Sequence, residues 1–301
     1  MNSLESASAI LSRDLPDLDI ASIKNIGEGW DSLVYLVNEE IVFRLPKADN
    51  ALGDPARQRG NKSEIGLLKH VFNRLPVKTP EPLLVPEHYG YFGYRHIPGS
   101  SLKDYPELFK SSEQYPEILD LWVRVATVIE QIITLEDAER LGLRAFDGVN
   151  PRVKLAKVVL NSDLLDSEFT PIIGVILDKY GESYKALAKK RSVTLHGDLG
   201  FGNWLVDAHK RPYAVIDWSE ATIAPPEHQM EFMWDMPPEM LRHMTNTYED
   251  ITDCKLDTEF IFVSGCTGFL GDIGALLNAG YDVSSHIEHL LQCLKSYRPE
   301  H

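Results

Sequence analysis

Three polar side chains stand close together in the sequence, around a glycine-rich loop and the apolar run that follows it. Asp198 begins the loop, where its carboxylate could orient a hydroxyl group or accept its proton. Asn203 lies five residues further on, and Asp217 follows the apolar run 213–216. Carboxylate and amide oxygens are the hard ligands that Mg²⁺ requires. We therefore predict phosphoryl transfer, with Asp198 as the catalytic residue and Asn203 and Asp217 as ligands of Mg²⁺.

Each of these residues alone has an ordinary structural explanation. An Asp before a turn is commonly a cap, and a single Asn in a loop is commonly a turn residue. The combined order of a loop Asp, a loop Asn and an Asp after a strand is the layout used by kinases. His196, which precedes the loop, is predicted to bond the loop backbone and so aim Asp198.

Two segments of the sequence carry a family resemblance. LHGDLGFGNWLVD at 195–207 and AVIDWSEA at 214–221 resemble the signature segments of the aminoglycoside phosphotransferase family, which includes macrolide and hygromycin kinases. The resemblance implies a protein-kinase-like bilobal fold. It also implies O-phosphorylation of an antibiotic, with ATP or GTP as the phosphoryl donor.

A glycine pair near the N-terminus extends the resemblance. IGEGWDSLVYLV at 26–37 is similar to the family's nucleotide-covering loop, which implies that Gly27, Gly29 and Ser32 lie over the phosphates. A G-x-G pair alone is usually just a hairpin turn. It is not a dinucleotide-binding fingerprint, because the third glycine is missing and a strand follows.

The next segments imply further nucleotide contacts and contain one departure. IVFRLPK at 41–47 resembles the family's third strand, where a Lys usually meets the phosphates, but here the matching residue is Arg44. Arginine keeps the charge and can bind phosphate through two donors. NKSEIGLLKHV at 61–71 resembles the family's helix that carries a glutamate, which implies that Glu64 is the partner of Arg44. GYFGYRHIPG at 90–99 resembles the hinge, with the backbone of Arg95 and Ile97 at purine-contacting positions.

A second departure follows Asp217. The family commonly has an Asp-Pro-x-x-Asp stretch there, whereas this chain reads APPEHQ at 224–229. The usual structural carboxylate is therefore predicted to be missing.

The acceptor side of the site is predicted from the charge of the C-terminal third and from the resemblance. Residues 196–301 contain 17 Asp and Glu against 6 Lys and Arg, and an acidic surface attracts cations. The resemblance implies that the stretch containing Glu220, Glu231, Trp234 and Asp235 borders the acceptor pocket, and we predict that these four residues bind a cationic amino-sugar. The alternative for Trp234 is a place in the core under a surface helix. Alternative functions are a macrolide kinase, a kinase of choline, fructosamine or a sugar, and a non-catalytic pseudokinase.

The elements that position these residues predict an α+β fold. Strand-like runs at 20–26, 33–37 and 41–45 form a β-meander, a helix covers 61–75, and 89–97 reads as a strand pair. After residue 101 the pattern is mostly helical, at 118–135, 153–160, 169–188 and 231–298, with strands only around the loop. We therefore predict a small β-rich N-lobe, 1–97, that binds nucleotide, and a larger, mainly helical C-lobe, 98–301.

Composition limits the partners and the compartment. A formal charge of −15 argues against a nucleic-acid partner, because a polyanion is repelled. No signal peptide is evident, and no 18-residue uninterrupted apolar run predicts a membrane span. The three cysteines are not spaced as zinc ligands. We expect a cytoplasmic protein.

Overall fold

The structure is a computed structural model that describes residues 4–29, 32–47, 52–110 and 115–296. Its helices are α1 (Leu4–Asp14), α2 (Pro55–Val71), α3 (Tyr115–Ile132), α4 (Leu135–Arg140), α5 (Val149–Leu160), α6 (Thr170–Lys190), α7 (Pro238–Thr252), α8 (Thr258–Asn278) and α9 (Ser284–Ser296). Its strands are β1 (Ile23–Glu28), β2 (Ser32–Val37), β3 (Ile41–Pro46), β4 (Pro82–Leu84), β5 (Gly93–Arg95), β6 (Ser100–Ser101), β7 (Val193–Leu195), β8 (Trp204–Val206), β9 (Pro212–Val215) and β10 (Thr222–Ala224).

The N-terminal strands form an antiparallel five-stranded sheet in the order β1-β2-β3-β5-β4. The predicted meander of the first three strands is confirmed. The strand pair predicted at 89–97 is wrong, because only 93–95 is a strand there and its partner is β4, from an earlier segment. The side chains that pack this sheet against α1 are Leu33, Tyr35, Val37, Phe43 and Leu45.

The alternation of side chains decides which strand residues can reach a ligand. Val34 of β2 pairs with Arg44 of β3. Successive side chains of a strand point to opposite faces, so both lie on the face away from α1. The buried apolar residues on either side of Arg44 thus fix the direction of its guanidinium group.

By its contacts the chain divides into two compact units. The first comprises 1–115, 128–143 and 196–221, and the second comprises 116–127, 144–195 and 222–301. Residues 196–221 therefore group with the sheet, and this division does not follow the predicted boundary between residues 97 and 98. The N-lobe and C-lobe with that boundary stay a prediction.

The second unit is mainly helical and is built around α8. Fully buried residues of α8, such as Cys266, Leu270 and Ile273, share one core with α5, α6 and α9. By length and composition alone α8 could cross a membrane, and 61% of its most apolar window is buried inside the protein. Such burial is typical of a core helix.

Candidate active site

The loop after β7 is fixed by a buried histidine. His196 has no exposed surface, and its Nδ1 accepts a hydrogen bond from the backbone N–H of Asp198 at 3.3 Å. Burial lowers the pKa of His196 to about 4, so the ring is neutral near pH 7 and can accept this bond. The exposed carboxylate of Asp198 is thereby positioned by its own backbone.

Asn203 connects Asp198 to the residue that precedes Asp217. Its amide nitrogen donates to the Asp198 carboxylate at 2.8 Å and to the Asp198 carbonyl at 2.9 Å. The backbone carbonyl of Asn203 accepts a hydrogen bond from the backbone N–H of Ile216 at 2.9 Å, next to the β8–β9 pairing of Trp204 with Val215. This hairpin therefore places Asn203 beside the residue that precedes Asp217.

Asp217 leaves β9 in a left-handed backbone conformation, with φ 60°. Few residues other than glycine adopt it, and Asp is one that does. Its Oδ1 accepts from Arg44 Nη1 at 2.5 Å and from Ser219 Oγ at 2.9 Å. Both of these contacts are made by Oδ1.

Gly197 lets the loop after β7 approach the loop after β9 closely, at Glu220. Its φ is 87°, and an added Cβ would lie 1.8 Å from the carbonyl oxygen of Glu220. We expect Gly197→Ala to lower the free energy of unfolding by about 2 kcal/mol or more, because left-handed strain of about 1–2 kcal/mol adds to this clash. Urea unfolding would measure the change in stability, and a turnover assay would show whether the site is also disturbed.

Gly174→Ala is the matched control for that substitution. Gly174 lies inside α6 and an added Cβ there meets nothing within 4 Å. Replacing a helical glycine by alanine should leave stability unchanged or raise it by up to about 1 kcal/mol. Equal stability of the Gly197 and Gly174 variants would show that the approach of the loops is not constrained.

The site opens into a cavity of about 370 Å³ within the first unit. The cavity is lined on the side of the loops by Asp198, Asp217 and Glu220. On the side of the sheet and α2 it is lined by Gly29, Ser32, Arg44 and Glu64. The structure thus brings seven of the predicted site residues to one cavity, and Asn203 contacts one of them.

Arg44 has a different nearest partner from the one predicted. Its Nη1 lies 3.9 Å from Glu64 Oε1 but 2.5 Å from Asp217 Oδ1. Burial raises the pKa of Glu64 to about 7, against the opposing effect of Arg44. The guanidinium group therefore lies between two acidic side chains and contacts that of Asp217.

The glycine turn closes tightly at the sheet edge. The N–H of Gly29 donates to the carbonyl of Ser32 at 2.8 Å. Residues 30 and 31, at the tip of the predicted turn, lie outside the described residues. Gly27 pairs with Val34 in the sheet and does not line the cavity.

Comparison with known proteins identifies the family. Residues 22–239 match the model of the APH phosphotransferase enzyme family. This chain belongs to that family. The predicted resemblance and the predicted class of enzyme, a phosphotransferase, are confirmed.

Solved structures similar to this phosphotransferase confirm the predicted kinase-like α+β fold. The GDP and kanamycin complex of APH(2")-IIia has a TM-score of 0.78 at 20% identity, over 97% of this chain and 99% of that one. Macrolide 2'-phosphotransferase MphH from Brachybacterium faecium has a TM-score of 0.61 at 20% identity, over 99% and 100%. At these identities the likeness shows the fold.

The predicted hinge residues of the phosphotransferase do not line the cavity. The N–H of Arg95 donates to the carbonyl of Glu81 at 3.1 Å, and its exposed side chain pairs with Glu40 and Glu81. Ile97 is half-buried. Purine contact by Arg95 and Ile97 stays a prediction.

The carboxylate of Glu231 has partners inside the second unit that the sequence did not predict. It accepts two hydrogen bonds from Arg152, at 2.7 and 2.9 Å, and one from Ser264 at 2.9 Å. His228 Nδ1 lies 2.9 Å from it. With these partners Glu231 has a structural role in the second unit, and its contact with substrate stays a prediction.

Trp234 and Asp235 also belong to the second unit. The Trp234 ring is half-buried against Phe262, Phe269 and His289, which agrees with the alternative weighed for it. Asp235 Oδ2 lies 2.8 Å from His289 Nε2. Substrate binding by these two residues stays a prediction.

A buried carboxylate is present where the sequence predicted none. Glu227, in the 3-10 helix after β10, is 5% exposed and accepts from the N–H of Asp257 at 3.2 Å. Asp257 is the N-cap of α8. Glu227 thus accepts a hydrogen bond at the start of α8. The sequence did not predict this role because residues 224–229 differ from the family's Asp-Pro-x-x-Asp stretch.

Proposed function

We propose that this phosphotransferase transfers the γ-phosphoryl group of ATP or GTP to a hydroxyl group of a cationic, aminoglycoside-like antibiotic. The observation that carries the proposal is the joining of Asp198, Asn203 and Asp217 through the loop contacts and the β8–β9 pairing, with Asp198, Asp217 and Arg44 lining one cavity. A phosphoryl transfer depends mainly on such positioning and on charge stabilisation.

Asp198 is the residue that meets the acceptor. The hydroxyl oxygen bonds to the γ-phosphorus, the bond from that phosphorus to the β-phosphate oxygen breaks, and the hydroxyl proton passes to Asp198. The hydrogen bond from the Asn203 amide keeps the Asp198 carboxylate oriented for this contact. Arg44 contributes positive charge beside the transferred group.

The residues present fit Mg²⁺. This ion is usually held by one or two protein oxygen ligands together with substrate phosphates, and not by a complete protein cage. Asp217 lines the cavity with a carboxylate, and Asn203 contacts the cavity residue Asp198, so the donor set is of the hard oxygen type that Mg²⁺ requires. Asp217 and the Asn203 amide oxygen would hold the ion, which would neutralise phosphate charge when bound.

The acceptor class is proposed from charge. The excess of acidic residues in 196–301 favours a cation, as an aminoglycoside is. The similar structures include a kanamycin complex, a gentamicin complex and a macrolide 2'-phosphotransferase. A macrolide is therefore the second candidate acceptor. We also propose a cytoplasmic location, where the nucleotide is supplied.

A coupled assay of nucleotide turnover tests the proposal. ATP and GTP would each be offered with Mg²⁺ and with panels of aminoglycosides, macrolides, and the metabolites choline, fructosamine and sugars. Turnover with aminoglycosides is the expected result. Turnover confined to macrolides or to a metabolite would overturn the acceptor class, and nucleotide binding without turnover on any acceptor would favour a pseudokinase.

A further inference from the structure

A second arginine lines the cavity beside Arg44. Arg57 lies in the first turn of α2, after the N-cap Asp54 and Pro55 at the helix start. Arg57, Gly60, Asn61 and Glu64 all line the cavity. Their spacing of three and four residues places them on one face of the helix, so α2 presents a continuous wall to the cavity.

Hydrogen bonds to Ser32 and Gly90 help to fix the Arg57 guanidinium group on this wall. Its Nη2 donates to Ser32 Oγ at 2.9 Å, and its Nε donates to the carbonyl of Gly90 at 3.0 Å. Ser32 is the hydroxyl residue at the base of the glycine turn and is itself part of the cavity. Arg57 therefore joins the turn to α2 at the place where phosphates are expected.

The charges around Arg44 explain why a second cation beside it would help to bind phosphates. Arg44 lies 2.5 Å from Asp217 and 3.9 Å from Glu64, so the nearer carboxylate of Asp217 offsets part of its positive charge. A nucleoside triphosphate carries several negative charges, and one arginine shared in this way balances few of them. Arg57 adds a cation at the start of a helix, where the backbone dipole also favours an anion.

Gly60 leaves room for a ligand on the same wall. It is one turn beyond Arg57, it is exposed, and a Cβ added there would meet nothing within 4 Å. Any longer side chain at this position could extend into the cavity next to Arg57. The wall thus combines a fixed cation with open space beside it.

We propose that Arg57 is a phosphate-binding residue, which together with Ser32 contacts the phosphates of the bound nucleotide. The inference rests on the proposed function, since it requires a nucleotide in this cavity. It adds a cation that the sequence resemblance does not place, and it assigns Arg44 the additional role of pairing with Asp217.

Calorimetric binding of ATP, GTP, adenosine and guanosine, with Mg²⁺ present, tests the proposal. Arg57→Gln should raise the Kd of the preferred triphosphate about 10- to 100-fold, as expected for a lost charge-assisted hydrogen bond. The Kd of the matching nucleoside should stay within about twofold, because it has no phosphate. Arg57→Lys should recover part of the loss.

Arg59→Gln is the matched control. Arg59 is an exposed residue of the same helix, outside the cavity, so this variant should bind the triphosphate as the wild type does. Equal triphosphate affinity in the Arg57→Gln and Arg59→Gln variants would overturn the inference. An equal loss for the nucleoside and the triphosphate would also overturn it, because that is the effect of a structural residue.

A second pair of variants, at Gly60, tests the inference even if the Arg57→Gln protein does not fold. Gly60→Asp adds a negative charge to the wall, and Gly60→Asn adds a neutral side chain of the same size. We expect the Asp variant to bind the triphosphate at least about fivefold more weakly than the Asn variant, through repulsion at close range. Equal affinities would overturn the inference. A wild type that binds none of the four probes would instead refute the proposed function.

Discussion

Asp198→Asn is expected to lower kcat about 10²- to 10⁴-fold, the usual contribution of a positioned general base. The substitution keeps the size of the side chain and its contact with Asn203 but removes the acceptor for the hydroxyl proton. The backbone bond from residue 198 to His196 is also kept. Nucleotide affinity should therefore stay within about threefold of the wild type, because the residues proposed to bind phosphate and metal are unchanged.

The control for this variant is Asp17→Asn, the same change at an exposed residue that does not line the cavity. Its kcat should equal that of the wild type. Steady-state turnover and equilibrium nucleotide binding would be measured on all three proteins. If Asp198→Asn turned over as fast as Asp17→Asn, Asp198 would not be the base, and the proposed mechanism would be wrong.

The relation of Asp198, Asn203 and Asp217 could be predicted because short-range structure creates it. Asn203 and Ile216 flank a tight hairpin, β8 and β9, whose register brings them face to face. The apolar runs 204–206 and 213–216, separated by a short polar stretch, are direct signals of that hairpin. A local sequence pattern was sufficient to predict this relation because Asp198, Asn203 and Asp217 all lie within 20 residues of sequence.

Contacts between distant segments could not be predicted in this way. The bond of Arg57 to Ser32 joins α2 to the sheet, and α2 was predicted to begin only at residue 61 because its first turns are polar. Asp54 and Pro55 are a recognisable N-terminal signal that could have placed Arg57 on the helix. Its direction toward the cavity follows only from the packing of α2.

Glu231 shows why the type of a residue does not fix its role. An acidic residue beside Trp234 suits a cationic sugar, but Arg152, which neutralises Glu231, lies 79 residues earlier in the chain. Gly265 of α8 allows this packing, since an added Cβ would lie 2.1 Å from the Glu231 carbonyl. The structural role of Glu231 could not be predicted because its partner Arg152 is remote in sequence.

Glu231→Gln is expected to lower the free energy of unfolding by about 3 kcal/mol, the lower end of the range for breaking a buried ion pair. The lower end applies because the side chains of Glu231 and Arg152 are 18% and 25% exposed. The variant leaves Arg152 and His228 without their shared carboxylate. Glu259→Gln is the control: its pair with Lys179 is about half exposed, so a loss of about 1 kcal/mol or less is expected.

The pH dependence of this loss separates the charge of Glu231 from its shape. Burial alone would raise the pKa of the carboxyl, but His228 and Arg152 outweigh burial and hold it well below its usual value. The unfolded chain binds a proton at about pH 4.3, before the folded chain does, so the stabilisation is complete above that pH and declines as the pH falls. In urea unfolding, the difference between wild type and Glu231→Gln should therefore be smaller at about pH 3 than at about pH 7. A difference that did not change with pH would mean that packing, and not the ion pair with Arg152, makes Glu231 important to the helical unit.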